Sequence, residues 1–152
     1  MSLYHATVSW LRNNEAFIDN KYSRAHQWEF QGDTKVAASA SSHIVPIPYS
    51  VPENVDPEEA FVASLSSCHM LFFLSIAAKK KLVVDLYRDT AEGVLEKNKD
   101  NKMAMTKVVL NPEIKFSGKQ PSAELIDKIH HLAHQECFIA NSVKTKIEII
   151  QS

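Results

Sequence analysis

Cys68 and Cys137 are the residues with the most reactive chemistry in this sequence. A thiolate is both a nucleophile and a metal ligand, so the chemistry on offer is thiol redox or metal binding. The two lie 69 residues apart, so they form no local redox motif and meet only if the fold joins them. Cys68 has Ser64, Ser67 and His69 for polar company inside an otherwise apolar stretch, and Cys137 precedes Phe138, Ile139 and Asn141. A free cysteine commonly acts as a small core residue, which leaves a noncatalytic binding module with two inert thiols as one alternative. A second alternative is a metal centre. His130 and His134 are i, i+4, and His134 and Cys137 are i, i+3, so they share a helix face. With His131, Cys68 and His69 they could supply zinc-like ligands, although no fixed ligand motif is present. No Ser-His-Asp signature or paired-carboxylate motif competes.

The elements that must position these cysteines are readable in outline. Tyr4 to Leu11 reads as a strand, and Asn13-Asn14-Glu15 as a turn. In a second strand, Tyr22 to Phe30, alternation puts Tyr22, Arg24, His26 and Trp28 on one face. Gly32-Asp33 turns the chain into a third, Lys35 to Ala40, and Pro46, Pro48 and Pro52 make His43 to Asp56 an extended loop. Asp56 then caps a helix with Pro57 at its first position and Glu58 and Glu59 in its first turn. That helix is predicted to run to about Lys80, and it is apolar enough to be buried on all sides. Two long strands follow, Val83 to Lys97 and Lys102 to Phe116, then a helix from about Ser122 to Cys137 and a last strand, Val143 to Ile150. The order β-β-β-α-β-β-α-β predicts an α+β fold, antiparallel sheet packed on a long central helix, as a single domain over 1–152.

Composition narrows the functional classes. With 17 Lys plus Arg against 18 Asp plus Glu the net charge is −1, which argues against a nucleic-acid partner. The three glycines, Gly32, Gly93 and Gly118, are too scattered for a phosphate loop or a dinucleotide fingerprint. Residues 60–78 carry no Asp, Glu, Lys or Arg, but Ser64, Ser66, Ser67, Cys68, His69 and Ser75 favour a buried soluble helix over a membrane span. The first fifteen residues, with Arg12, Asn13 and Asn14, do not read as a signal peptide, so a cytoplasmic location is expected.

Asp56-Pro57-Glu58-Glu59 followed by Ala60 through Cys68 resembles the osmotically inducible protein C and organic hydroperoxide resistance (OsmC/Ohr) family. The shared pattern is Asn/Asp-Pro-Glu with a cysteine ten residues after the Glu, here Glu58 and Cys68. A second shared pattern is a helix ending in a cysteine with Asn four residues on, here Cys137 and Asn141. The order of elements extends the resemblance over nearly the whole chain. Three features depart from it. His69 stands where an aromatic residue is common, Phe138 and Ala140 stand where Pro and Ser are usual, and the loop before the helix has no arginine.

The resemblance implies a thiol-dependent peroxidase that reduces organic hydroperoxides to alcohols without metal or organic cofactor. It implies Cys68 as the attacking thiolate, Cys137 as the thiol that resolves it to a disulfide, and an external thiol or dithiol as reductant. It implies an arginine, with Arg24 preferred over Arg12, and Glu58 to orient it. It also implies an intertwined homodimer. The chemistry fits: Cys68 lies about three turns into its helix, beyond the reach of the positive helix end, so a cation must come from elsewhere. Glu58 lies about 15 Å along the helix axis from Cys68 and about 80° around it, so it cannot touch the cysteine of its own helix.

Overall fold

The structure, a computed structural model, describes residues 1–151. Its contacts divide the chain into two compact units, Met1–Ala60 and Phe61–Ser152.

The first unit holds a three-stranded antiparallel sheet in the order β1-β2-β3, with β1 Ala6–Ser9, β2 His26–Phe30 and β3 Lys35–Ala38. Gly32 and Asp33, both at positive φ, close the β2–β3 turn. The second strand starts four residues later than the sequence predicts. The Arg24 N–H goes to the Tyr49 carbonyl (2.7 Å) and not to a strand partner, so Tyr22 to Ala25 belong to the loop. The long loop is tied back by Asn54, which donates to the Ala38 carbonyl, and by the Ser39 hydroxyl oxygen, which accepts from Val51 N–H. All four residues of β1 are exposed.

Helix α1, Pro57–Lys79, begins at the end of this unit with the expected cap. Asp56 Oδ1 accepts from Glu59 N–H at 2.8 Å and Glu59 Oε1 accepts in return from Asp56 N–H at 3.4 Å, a reciprocal capping box.

The second unit arranges β4 Val83–Asp89, β5 Glu92–Lys97, β6 Met103–Leu110, β7 Pro112–Ser117, α2 Ala123–Glu136, a 3-10 turn at Ala140–Ser142 and β8 Lys146–Ile149. Each of the two long strands expected from the sequence is therefore broken in two. Asp89 sits at the break: its carboxylate accepts from the Ser66 hydroxyl on α1 and from the Asn111 N–H opposite. The hairpin bends there, so β4 pairs with β7 in one sheet while β5 and β6 join β8 in another. All these pairings are antiparallel except β6–β8, which is parallel. Gly93 on β5 allows close approach, because a side chain there would run into Val62 and Met105.

Helix α1 serves both sheets. Phe73, Ala77, Leu82, Ile129 and Ala133 pack with residues of β4, β7 and α2. Leu65, Val108 and Leu110 form a second core with residues of β6 and β8. The helix is not buried on all sides within one chain. Leu65, His69, Phe73 and Ala77 form the buried stripe, at i, i+4 spacing, while Ala63, Ser64, Ser67, Leu71, Ser75 and Ala78 are exposed. One sheet layer can cover only one side of a helix. By length and composition α1 would suffice to cross a membrane, but in this fold it is the core helix.

Candidate functional site

The second unit brings the two cysteines together. Cys68 projects from the middle of α1, and Cys137 is the residue on which α2 ends, its N–H bonded to the His134 carbonyl. Ser122 caps the other end of α2 through Leu125 N–H, as its position in the sequence predicts. Both thiols are free, Cys68 half-buried and Cys137 1% exposed. Burial pushes the Cys137 thiol up to about 11, and the nearby Cys68 thiol pushes the same way. Cys137 therefore keeps its proton at ordinary pH while it lies close to Cys68. Ala140 N–H approaches the Cys137 sulfur at 3.4 Å from the turn that follows. One helical turn beyond Cys68, Phe72 meets Phe138 edge to face, with ring centroids 5.0 Å apart. Phe138 is 69% exposed, so the mouth of the cysteine pair is apolar and open.

The neighbouring histidines do not form the constellation that a zinc-like site requires. His69 Nε2 and His130 Nδ1 are 2.9 Å apart in a buried hydrogen bond between α1 and α2. His131 is exposed and meets the side chain of Gln135. Among the described residues no three His, Cys, Asp or Glu side chains are placed to hold a metal ion. Burial, reinforced by His130 and His134, pushes His69 down to about 4, so it is neutral at ordinary pH. The His69–His130 pair was not legible as such. The available signal was that each histidine occupies an apolar-face position of its helix, where a polar side chain must find a partner.

Arg24 lies in the first unit, beside an open cleft of about 380 Å³ lined by Trp10, Phe17, Tyr22, Arg24 and His26. Of the face expected from strand alternation, Tyr22, Arg24 and His26 line this cleft and Trp28 does not, and Tyr22 and Arg24 do so from the loop before the strand. The guanidinium stacks on Tyr22, 3.7 Å from the ring centroid, and not on Trp28. Its Nη1 donates to the Asn20 and Tyr22 carbonyls, and its Nη2 to Asn20 Oδ1 at 2.9 Å. Three of five donors are thus used. Nε–H and one Nη2–H, the side-on fork suited to an oxyanion, have no partner among the described residues. Phe17 and Trp10, which the sequence did not single out, complete the aromatic wall. Arg12 instead bonds the Glu15 carbonyl in a local turn.

Glu58 sits in the first turn of α1, where a carboxylate favours the positive helix end. Among the described residues it makes no ion pair with an arginine.

Comparison with known proteins agrees with this architecture. A solved OsmC-like protein of unknown function from Vibrio cholerae is 57% identical, with a TM-score of 0.98 and complete coverage of both chains. An organic hydroperoxide resistance protein OsmC from Legionella pneumophila shares the fold at 15% identity and a TM-score of 0.71, covering 100% of this chain and 96% of that one. An organic hydroperoxide resistance protein from Elizabethkingia anophelis does so at 15% and 0.72, covering 99% and 94%. None of the curated proteins matches the chain. The family model described as OsmC-like protein matches residues 51–152, the region that holds both cysteines, and the chain belongs to that family.

Proposed function

We propose that the protein is a cysteine-based peroxidase that reduces organic hydroperoxides. The observation that carries this reading is the approach of two free thiols from α1 and α2, the outer one half-buried and the inner one buried beside it. The names of the Legionella and Elizabethkingia relatives are consistent with it.

In the proposed cycle the Cys68 thiolate attacks the terminal peroxide oxygen. The O–O bond breaks, the alkoxide takes a proton and leaves as alcohol, and Cys68 becomes a sulfenic acid. The Cys137 sulfur then attacks the Cys68 sulfur. Its own proton goes to the departing hydroxyl, so water and a disulfide form. A dithiol from outside restores both thiols by exchange. Arg24 is proposed to supply the positive charge that steadies the thiolate and the peroxide oxygens, held in place by the Glu58 of the second copy in the homodimer, since the Glu58 of the same helix lies too far from Cys68.

We further propose that the chain acts as one OsmC-like domain in a cytoplasmic homodimer. The exposed stripe of α1 and the exposed β1 strand are the surfaces that a second copy would bury.

The Phe72–Phe138 wall supports an apolar substrate. Each methylene buried there adds about 0.8 kcal/mol, roughly fourfold in affinity. The test is kcat/KM for cumene hydroperoxide, tert-butyl hydroperoxide and hydrogen peroxide with one reductant specific for disulfides, for the wild type, Cys68→Ser and Cys137→Ser. The expected order falls from the aryl to the alkyl hydroperoxide to hydrogen peroxide, with no turnover in Cys68→Ser and a single turnover in Cys137→Ser. Full steady-state activity in Cys68→Ser would overturn the assignment.

A further inference from the structure

His69 and His130 are 1% and 3% exposed, yet they are polar side chains in the core. Their rings lie edge to edge with centroids 5.2 Å apart and planes 10° apart, and one proton between Nε2 and Nδ1 satisfies one nitrogen of each. Phe73 covers the His130 ring at 4.6 Å. The remaining His69 nitrogen, Nδ1, is buried without a partner, a cost that an apolar residue at this position would not carry.

What that cost secures is direction. The apolar contacts of Phe73, Ala77, Ile129 and Ala133 hold α2 to α1 but tolerate sliding and rotation, whereas a hydrogen bond between two rings does not. The two helices therefore meet at two points, the close approach of Cys68 and Cys137 and the directional His69–His130 hydrogen bond. These points are adjacent on α1 and seven residues apart on α2, about 10 Å along its axis. Two points at that separation fix the register of α2 where a single point would leave it free to pivot.

We propose that the His69–His130 imidazole pair positions Cys137 against Cys68 and so sets how readily the two thiols join. They are positioning residues that act through the helices. The inference rests on Cys68 and Cys137 being redox partners, but it needs no peroxide, so it is tested by thiol exchange. In that exchange oxidised glutathione accepts two electrons from the cysteine pair and leaves as two molecules of reduced glutathione, with one intramolecular disulfide formed.

The experiment equilibrates the full chain in glutathione redox buffers and measures the Cys68–Cys137 disulfide fraction for the wild type, His130→Leu and His130→Gln. His69→Leu and His69→Gln repeat the comparison from α1, so a variant that fails to fold leaves its counterpart. The leucine variants should shift the equilibrium roughly tenfold or more toward the dithiol, the scale expected when reacting groups lose a fixed geometry. The glutamine variants, which keep a donor and an acceptor, should recover most of that shift. Leucine variants with the wild-type equilibrium would overturn the proposal, as would glutamine variants that match the leucine ones. A wild-type chain that forms no such disulfide would overturn both this inference and the resolving role of Cys137.

Discussion

Cys137 and Arg24 each lie beside aromatic side chains, and the protein holds them in opposite ways. Cys137 is sealed in the core of the second unit, fixed by the end of α2 and by the Ala140 N–H, with Cys68 close by. Arg24 lies at an open cleft in the first unit, propped on Tyr22 and tied by three hydrogen bonds to its own loop, with two donors left over. A group that must keep its proton until a partner sulfur is ready gains from burial, because burial resists ionisation. A group that must offer charge to something outside has to remain reachable. Its aromatic and carbonyl neighbours then serve to limit its freedom without neutralising it.

That contrast is most sharply broken by truncating one aromatic residue in each region. Phe73 is fully buried beside the histidine pair, so Phe73→Ala should destabilise the protein by about 3–5 kcal/mol. Phe17 is 48% exposed in the Arg24 cleft, and Phe17→Ala should cost less than about 1 kcal/mol. Urea unfolding of both variants makes the comparison, and equal losses would mean that the cleft is part of a core.

The next test concerns charge. Arg24→Ala should lower kcat/KM roughly a hundredfold, the scale of losing one preorganised donor to developing charge. Arg24→Lys should recover only part, since an ammonium lacks the fork. Neither should move the unfolding midpoint much. If Arg12→Ala is the crippling change and Arg24→Ala is mild, Arg24 is the wrong arginine.

A smaller effect follows from acidification. His69 titrates near 6.5 when unfolded and about 4 when folded, with burial as the main cause. Between those values the unfolded chain binds more protons, so the stability present above pH 6.5 is lost as the pH falls. The loss attributable to His69 is about 2 kcal/mol at pH 5. Burial lowers His130 too, although Asp127 and Asp89 oppose it. Chemical denaturation at pH 7 and pH 5 should show this loss in the wild type and a reduced one in His69→Leu.

The same contrast explains what the sequence disclosed. Asp56, Pro57 and Ser122 announce their helices because capping is local chemistry, and the Glu58-to-Cys68 and Cys137-to-Asn141 spacings carry the family pattern. The fold class and the two helices were legible for the same reason, whereas the expected burial of α1 on all sides was not met within one chain. The break of the two long strands was not, because it depends on Asp89 reaching Ser66 and Asn111 across the fold. The meeting of Cys68 and Cys137, and of His69 and His130, is likewise long-range. Spacing along α2 suggested a zinc-like face, whereas burial turned one of its histidines toward α1. The aromatic wall around Arg24 needed Trp10 and Phe17 from a different segment, which no periodicity within residues 22–30 indicates.

The pairing of Cys68 and Cys137 is the claim on which the rest depends. Its most direct test is intact-mass and peptide mass spectrometry of the reduced protein after one equivalent of cumene hydroperoxide. The predicted result is the loss of two hydrogens and a single cross-linked species joining the Cys68 and Cys137 peptides. In Cys137→Ser the predicted product is instead a Cys68 sulfenic acid that dimedone traps. Thiols that remain unmodified, with neither oxygen gained nor disulfide formed, would contradict the account.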